Sequence, residues 1–298
     1  MERLIQDKII FPEIIWQRPQ NIHKRQAGKI LIIAGSKGMS GAGLLTAEAA
    51  FRTGIGLIVF GYPESLKDVY RKVLPEMMSL ILPETPAGSL SLKALEEIVK
   101  GSEDVDMVVL GPGLTRNSET VSLIQQVVAK IDKPLIIDAD GLNAISEGNP
   151  DEIFSNRPNR TIITPHYGEM GRLIKLSPKE IEDNKYKLSE RYAREWNLTL
   201  VLKGQETLIT EPAGKQVINK SGGPGLATAG SGDVLSGIIA TLGAQNQEKL
   251  FEAAATSVYL HGLAGDLATK EIGERSVMAT DVINYLPEAL KYTESQVG

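Results

Sequence analysis

Lys29-Ile-Leu-Ile-Ile-Ala34 is followed by Gly35-Ser-Lys-Gly-Met-Ser-Gly-Ala-Gly43 and then by the stretch Leu44–Arg52. The three pieces are an apolar run, a glycine-rich turn and a helical pattern. The run stays apolar from Ile30 without alternation, which suits a strand buried on both faces. Similar runs recur at Leu57–Gly61, Met107–Leu110, Leu135–Asp138, Thr161–Thr164 and Thr199–Leu202. Helical stretches between them imply crossover connections. The expected fold is therefore α/β, with a mostly parallel central sheet flanked by helices.

Outward from this frame, residues 1–27 form a lead-in of weak periodicity. Ser177-Pro-Lys-Glu180 carries a serine N-cap, proline at the first helical position and a glutamate that can close a capping box, predicting a helix from there to about Trp196. Thr207–Thr210 and Gln216–Asn219 flank Glu211-Pro-Ala-Gly-Lys215, the pattern of a β-hairpin. No linker or repeat interrupts the chain, so one α/β domain spanning residues 1–298 is the simplest organisation.

Composition narrows the chemistry. The chain has 298 residues, 42% of them hydrophobic, enough for a large core. A formal net charge of −5, with no Lys/Arg run, argues against nucleic acid as a partner. With no cysteine, disulfides, thiolate metal sites and cysteine nucleophiles are excluded, and three histidines make a histidine-rich metal site a poor expectation. The N-terminus lacks a signal-peptide core, and no apolar run approaches the roughly 18 residues of a membrane span. A cytoplasmic location, with no membrane partner, is the expectation.

Ligands of parallel α/β sheets bind beyond the carboxyl ends of the strands. Four turns there stand out. Gly35–Gly43 lets backbone approach a ligand, or is simply a flexible turn; it is neither a Walker A loop nor a GxGxxG. Gly111-Pro-Gly113 reads equally well as a binding or a tight structural turn. Asp138, Asp140, His166 and Glu169 close two strands; such groups can orient a polar ligand or water-bridged Mg²⁺, or can cap helices. The strongest is Asn219–Gly237, containing Gly230-Ser231-Gly232-Asp233. Its glycines can aim several N–H groups at one point of a helix start, an anion hole for a phosphoryl group in transfer. Asp233 beside it can take a proton from an attacking hydroxyl; the plainer alternative is an N-cap on a glycine turn.

Gly230-Ser-Gly232-Asp233 resembles the anion hole and catalytic aspartate of the ribokinase-like superfamily, whose three-layer sandwich is then the implied fold. Further segments occur in order: Ile33-Ala-Gly-Ser36, Met39-Ser-Gly-Ala42, Leu110-Gly-Pro-Gly-Leu114, Ile137-Asp-Ala-Asp-Gly-Leu142, Thr164-Pro-His166, Leu202-Lys-Gly-Gln-Glu-Thr207 and Tyr259-Leu-His-Gly262. Together, from about Lys29 to Pro287, they are similar to the NAD(P)H-hydrate dehydratases. The resemblance implies repair of NADH or NADPH hydrated on the nicotinamide ring, acting on the S epimer. The ring hydroxyl is phosphorylated by ADP (giving AMP and phosphate) or by ATP, and phosphate is then eliminated, which makes the enzyme a carbon–oxygen lyase. Carried over by motif, Asp233 is the base and a substrate contact, and Gly230, Ser231 and Gly232 stabilise the phosphoryl group. Ala42, Gly113 and His166 meet the hydrated dinucleotide. Lys203, Gly204, Gln205, Glu206, Thr207 and Gly232 hold the nucleotide. From the residues alone, Lys203–Thr207 is a plain connection between strands.

Three positions depart from the family pattern: Ser221-Gly-Gly223 stands for its common Thr-Gly-Asn, Ala229-Gly230 for Gly-Gly, and Tyr167 for a proline after the histidine. Gly223 therefore brings no side-chain amide to a ligand. The resemblance also implies Mg²⁺ brought by the nucleotide without a dedicated protein cage, and a homo-oligomer such as a tetramer. Residues 1–27 are too few for the epimerase domain many members carry, so a separate NAD(P)H-hydrate epimerase is the expected partner. The alternative within the fold is a small-molecule kinase for a sugar, hydroxymethylpyrimidine or thiazole alcohol, which would stop at the phosphate ester. A non-catalytic nucleotide sensor would have no use for an aspartate beside a glycine hole.

Overall fold

The computed structural model describes residues 2–15, 18–157 and 160–297; residues 1 and 16–17 of the lead-in, and 158–159 and 298 of the expected domain, lie outside the described residues. The chain runs β1 (Arg3–Gln6), β2 (Lys29–Ile33), α1 (Ser40–Thr53), β3 (Leu57–Pro63), α2 (Lys67–Val73), β4 (Met78–Leu82), α3 (Leu95–Ser102) and β5 (Met107–Leu110). It continues through α4 (Ser118–Lys130), β6 (Leu135–Ile137), α5 (Asp140–Ser146), α6 (Pro150–Ser155), β7 (Thr161–Ile163), α7 (Tyr167–Ile174), α8 (Pro178–Asp183) and α9 (Lys185–Glu195). The last part holds β8 (Thr199–Leu202), β9 (Leu208–Thr210), β10 (Gln216–Asn219), α10 (Ser231–Gln245), α11 (Leu250–Ile272) and α12 (Ala279–Val297).

Among the described residues the strands form one sheet, in the order β1-β10-β9-β8-β7-β6-β5-β2-β3-β4. Neighbours are parallel except at β9, which runs antiparallel to β8 and β10. Alternate residues of the all-apolar strands feed opposite cores. Ile30 and Ile32 of β2 pack with α1, α10, α11 and α12, while Leu31 and Ile33 pack with α3, α4, α7 and α9. The result is three layers, helices on both faces of the sheet, as the patterning predicts. Among the described residues no helix is long and apolar enough to cross a membrane.

Two expectations need correction. The helix that begins at Ser177 keeps its capping box, Ser177 N–H donating to Glu180 Oε2 at 2.8 Å, but it ends at Asp183. Asn184 leaves the helical region (φ −121°, ψ 16°), and α9 starts anew after it. The break lets α9 turn onto β8 and β9, a tertiary demand with no mark in the local pattern. The lead-in is also more than a lead-in, since Arg3–Gln6 adds β1 as an edge strand beside β10. Edge pairing needs no long apolar run, which is why weak periodicity hid it. The same holds for β4 at the other edge, where Met78 is exposed. The hairpin forms as read, β9 against β10.

Candidate functional site

Strands β8, β7, β6, β5 and β2 are consecutive neighbours and all parallel, so the loops after them share one edge of the sheet. Gly35 and Ser36 follow β2, Gly111–Gly113 follow β5, Asp138–Asp140 follow β6, His166 follows β7 and Lys203 follows β8. The loops are tied to one another. Gly35 N–H donates to Pro112 O at 2.8 Å and Ser36 Oγ to Gly113 O at 2.7 Å. Gly111 sits against the Asp138 carbonyl at φ +132°; a Cβ there would lie 1.9 Å from that oxygen. Thr115 (φ 72°) and Ala139 (φ 50°) both hold left-handed backbone without being glycine. Each such conformation costs on the order of 1–2 kcal/mol and persists only where surrounding contacts impose it. Here Thr115 N–H donates to Asp140 Oδ2 at 2.9 Å, and Ala139 N–H to Asp138 Oδ1 at 2.8 Å.

Asp138 is 1% exposed and accepts three hydrogen bonds: from Ala139 N–H, from Lys203 Nζ at 2.8 Å and from Ser236 Oγ at 2.8 Å. Its carboxylate is thus a fixed anchor for the Lys203 ammonium, which also lies 4.0 Å from Glu169 Oε2. Burial works against the charge on Lys203, but Asp138, Glu169 and Asp233 outweigh it and raise its pKa. Asp140 accepts from Thr115 N–H and from Asn143 Nδ2 at 3.1 Å, and so orders its own loop. Neither aspartate caps a helix, since α5 begins without a side-chain cap hydrogen bond; Asp138 holds Lys203 and Ser236, and Asp140 ties Thr115 and Asn143.

The start of α10 faces this cluster. Gly230 caps it at φ +88°, and the first helical bond runs from Val234 N–H to Gly230 O at 3.1 Å. The amides of Gly232 and Asp233 precede that bond and point out of the helix end. Ser231 differs, since its N–H donates to Thr228 O at 3.3 Å and its hydroxyl pairs with His261 Nε2 at 3.1 Å. A Cβ on Gly232 would lie 3.2 Å from Lys203 Nζ, which places the ammonium directly at the helix start. The Asp233 pKa is pushed up to about 7, first by burial and then by Asp138, Asp140 and Glu169, against the opposing pull of Lys203. A carboxyl poised near neutrality, beside free amides and a fixed cation, can take a proton from a hydroxyl while negative charge gathers next to it.

His166 is the N-cap of α7. Its Nδ1 accepts from Gly168 N–H at 2.9 Å and Glu169 N–H at 3.2 Å, and His166 N–H donates in return to Glu169 Oε2 at 2.9 Å. Burial lowers the pKa of His166, Lys203 and Arg172 adding to it and Glu169 opposing it, so the ring is neutral near pH 7. With Nδ1 accepting, the ring proton belongs on Nε2, on a side chain 53% exposed. Ala42 and Gly113 are adjacent, a Cβ on Gly113 lying 3.2 Å from that of Ala42. Beyond Lys203, the loop Gly204–Thr207 is the more exposed part. Glu206 pairs with Lys220 and, at 3.7 Å, with Lys185, while Tyr167 packs over Gly204. Residues 203–207 do connect the antiparallel β8 and β9, as the residues alone suggest, and Lys203 at the start of that connection forms a parallel bridge with His166 that carries it to the strand ends.

Sequence reasoning gave no role to Ser236 or His261. Ser236 lies one helical turn after Asp233 on the same face of α10, a spacing that could have suggested it. His261 comes from α11, far along the chain; the Tyr259-Leu-His-Gly262 segment marks it through the resemblance, but nothing local links it to Ser231.

A family model described as NAD(P)H-hydrate dehydratase matches residues 30–288. The chain is 40% identical over 281 residues to a bifunctional NAD(P)H-hydrate repair enzyme of Moorella thermoacetica, covering 94% of this chain and 52% of that protein. It thus spans about half the length of such bifunctional relatives. It is 32% identical to an ADP-dependent (S)-NAD(P)H-hydrate dehydratase of Neisseria meningitidis, over 91% of this chain and 87% of that one. The crystal structure of an ADP/ATP-dependent NAD(P)H-hydrate dehydratase of Bacillus subtilis, co-crystallized with ATP/Mg²⁺, superposes with a TM-score of 0.78 at 29% identity, covering 93% of this chain and 94% of that one. The fold is ribokinase-like, with a mostly parallel ten-strand sheet among the described residues.

Proposed function

The chain belongs to the NAD(P)H-hydrate dehydratase family, and from that premise we propose that it restores hydrated NADH or NADPH, in the S form, at the expense of ADP or ATP. The observation that carries the reading is Asp233, held near neutral pKa at the start of α10 beside the Lys203 ammonium. Asp233 takes the proton of the hydroxyl on the hydrated ring as the oxygen attacks the terminal phosphorus of the nucleotide. The bond from that phosphorus to the bridging oxygen breaks, and AMP leaves when ADP is the donor. The amides of Gly232 and Asp233, with Lys203, face the charge on the phosphoryl group in transit. Elimination then breaks the C–O bond, phosphate leaving as inorganic phosphate, and the adjacent ring carbon gives up a proton to solvent, which restores the ring double bond. The balance is hydrate plus ADP to NAD(P)H, AMP and phosphate.

The remaining site residues take supporting places. Ala42, Gly113 and His166 are assigned to the dinucleotide as the family motif implies; Gly113 is buried against Ala42 and Met39, and the half-exposed His166 ring holds Nε2 3.4 Å from Glu169 Oε1. Gly204, Gln205, Glu206 and Thr207 are assigned to the nucleotide on the family motif, and their partly exposed loop next to Lys203 supports that assignment. Ser231 has both polar groups engaged within the protein, so its part is to shape the hole. Mg²⁺ fits as an ion borne by the nucleotide: Asp138 and Asp140 already accept protein hydrogen bonds. Glu169 and Asp233 would meet it through water, and it would neutralise phosphate charge. An epimerase that supplies the S form is the functional partner.

The test mixes purified protein, hydrated NADH and Mg²⁺ with ADP or ATP and follows absorbance at about 340 nm, where reduced nicotinamide absorbs. A nucleotide-dependent rise is expected, and the faster donor identifies the natural one. Folded protein that binds nucleotide yet gives no rise with either donor overturns the reading.

A further inference from the structure

The loop from Asn219 to Gly230 lies along α11 and is fastened to it at several points. Ser221 Oγ reaches Tyr259 O at 3.0 Å and Asn219 Oδ1 at 3.1 Å. Gly222 N–H donates to Asp266 Oδ2 at 2.9 Å. Gly262 makes the approach feasible, since a Cβ there would lie 2.2 Å from Ser221 Oγ and 2.6 Å from its backbone. At the far end of the loop, His261 of α11 meets Ser231, the first residue of α10, through Nε2 and Oγ at 3.1 Å. His261 is 8% exposed and Ser231 7%. Burial drives the His261 pKa down to about 4. A neutral imidazole thus meets the hydroxyl of Ser231 in a buried place.

We infer that His261 is a positioning residue: by holding Ser231 through a buried hydrogen bond, it fixes the direction of the Gly232 and Asp233 amides and of the Asp233 carboxylate. Gly230 is in the left-handed region and is flanked by Ala229, so the chain entering α10 has little side-chain anchoring of its own. The Ser231 N–H is taken by Thr228 O at a long 3.3 Å, a weak tether within the same loop. The His261 contact is the tie from that point to a long buried helix. An amide of the hole displaced by an ångström loses most of its effect on a transferring group, a cost of about ten- to a hundredfold in rate. His261 itself need touch no substrate; it acts through Ser231.

The inference rests on the proposed reaction only for its kinetic consequence, so the experiment has two readouts. Hydrogen exchange of the unliganded protein is measured by mass spectrometry on peptides covering Gly230–Gly237, in which the helical hydrogen bonds begin at Val234, for wild type, Ser231→Ala, His261→Leu and His261→Gln. Ser231→Ala removes the same bond from the other side without a large cavity, so a misfolded His261→Leu leaves the test intact. The Gln amide nitrogen reaches the place of Nε2. Exchange in those peptides is expected to rise about tenfold in Ser231→Ala and His261→Leu, and to stay within about twofold of wild type in His261→Gln. In the dehydration assay, the first two variants and their double mutant each lose about tenfold in kcat, with KM for both substrates unchanged within about twofold, and His261→Gln recovers most of it. Unchanged exchange in Ser231→Ala overturns the inference, whether or not the wild type dehydrates the hydrate. So does a kcat loss in Ser231→Ala that His261→Leu does not share, because Ser231 would then act directly. A wild type inactive in the assay, with exchange responding as described, would sink the reaction and keep the positioning role.

Discussion

Replacing Asp233 by asparagine should abolish turnover and, at alkaline pH, stabilise the fold. Asp233 moves from a reference pKa of 3.8 to about 7, with burial the first cause. Because the folded value is raised, the folded state favours the protonated carboxyl. That stabilisation is fully present below pH 3.8 and is lost as pH rises through about 7. The uncharged asparagine amide mimics the neutral carboxyl at every pH. The interval from 3.8 to about 7 corresponds to at most about 4 kcal/mol at 1.36 kcal/mol per pH unit. Partial solvent access at the mouth of the site brings this to about 2 kcal/mol. Urea unfolding of both proteins at pH 5 and pH 8 measures it. Asp233→Asn is expected to be more stable at pH 8, with an advantage about 1–3 kcal/mol larger there than at pH 5, while kcat falls at least about a hundredfold. An advantage that fails to grow with pH would falsify the raised pKa. A stable variant that still turns over normally would remove Asp233 as the base.

Three further outcomes follow from the same site. Since Asp233 must be ionised to act, kcat/KM should fall about tenfold from pH 8 to pH 6, read at about 340 nm; a flat profile would point to another base. Lys203→Met leaves Asp138 buried without its cation and should cost about 3–5 kcal/mol in urea unfolding. It also removes the charge that lowers the Asp233 pKa, so the acid limb of any residual activity should move to higher pH. Gly111→Ala forces a Cβ to within 1.9 Å of the Asp138 carbonyl at φ +132°, and a stability loss above about 2 kcal/mol is expected by thermal melting, with a drop in kcat as the Asp138 turn is displaced.

The parallel core strands and the Gly230–Asp233 turn are legible because each is a local pattern. An all-apolar run of four or five residues has few other uses, and glycines flanking an aspartate at a helix start carry their chemistry in one place. The break at Asn184, edge strands β1 and β4 and the Ser231–His261 pair are not legible in that way. Each depends on a neighbour distant in the chain: α9 on the surface it must cover, β1 on β10, and Ser231 on a histidine thirty positions later. Lys203 shows the two kinds of information meeting. Its motif marks it through resemblance to a nucleotide-contacting segment, yet only the bridge to His166 brings its ammonium to Asp138 and the start of α10.

The order of residues is enough to set the strand and helix pattern of the α/β layers and to put glycines beside an aspartate at a helix start. Hydrophobic periodicity and turn composition are properties of neighbouring residues, so they survive without the fold. Which charges face one another is settled in three dimensions. Asp233 is driven toward neutrality by burial and by carboxylates from beyond the ends of β6 and β7, Lys203 is held in place by Asp138 after β6, and the start of α10 is steadied from α11. Electrostatic coupling and hydrogen bonding act over a few ångströms of space, and segments far apart in the chain enter that range only once the sheet has brought its strand ends together.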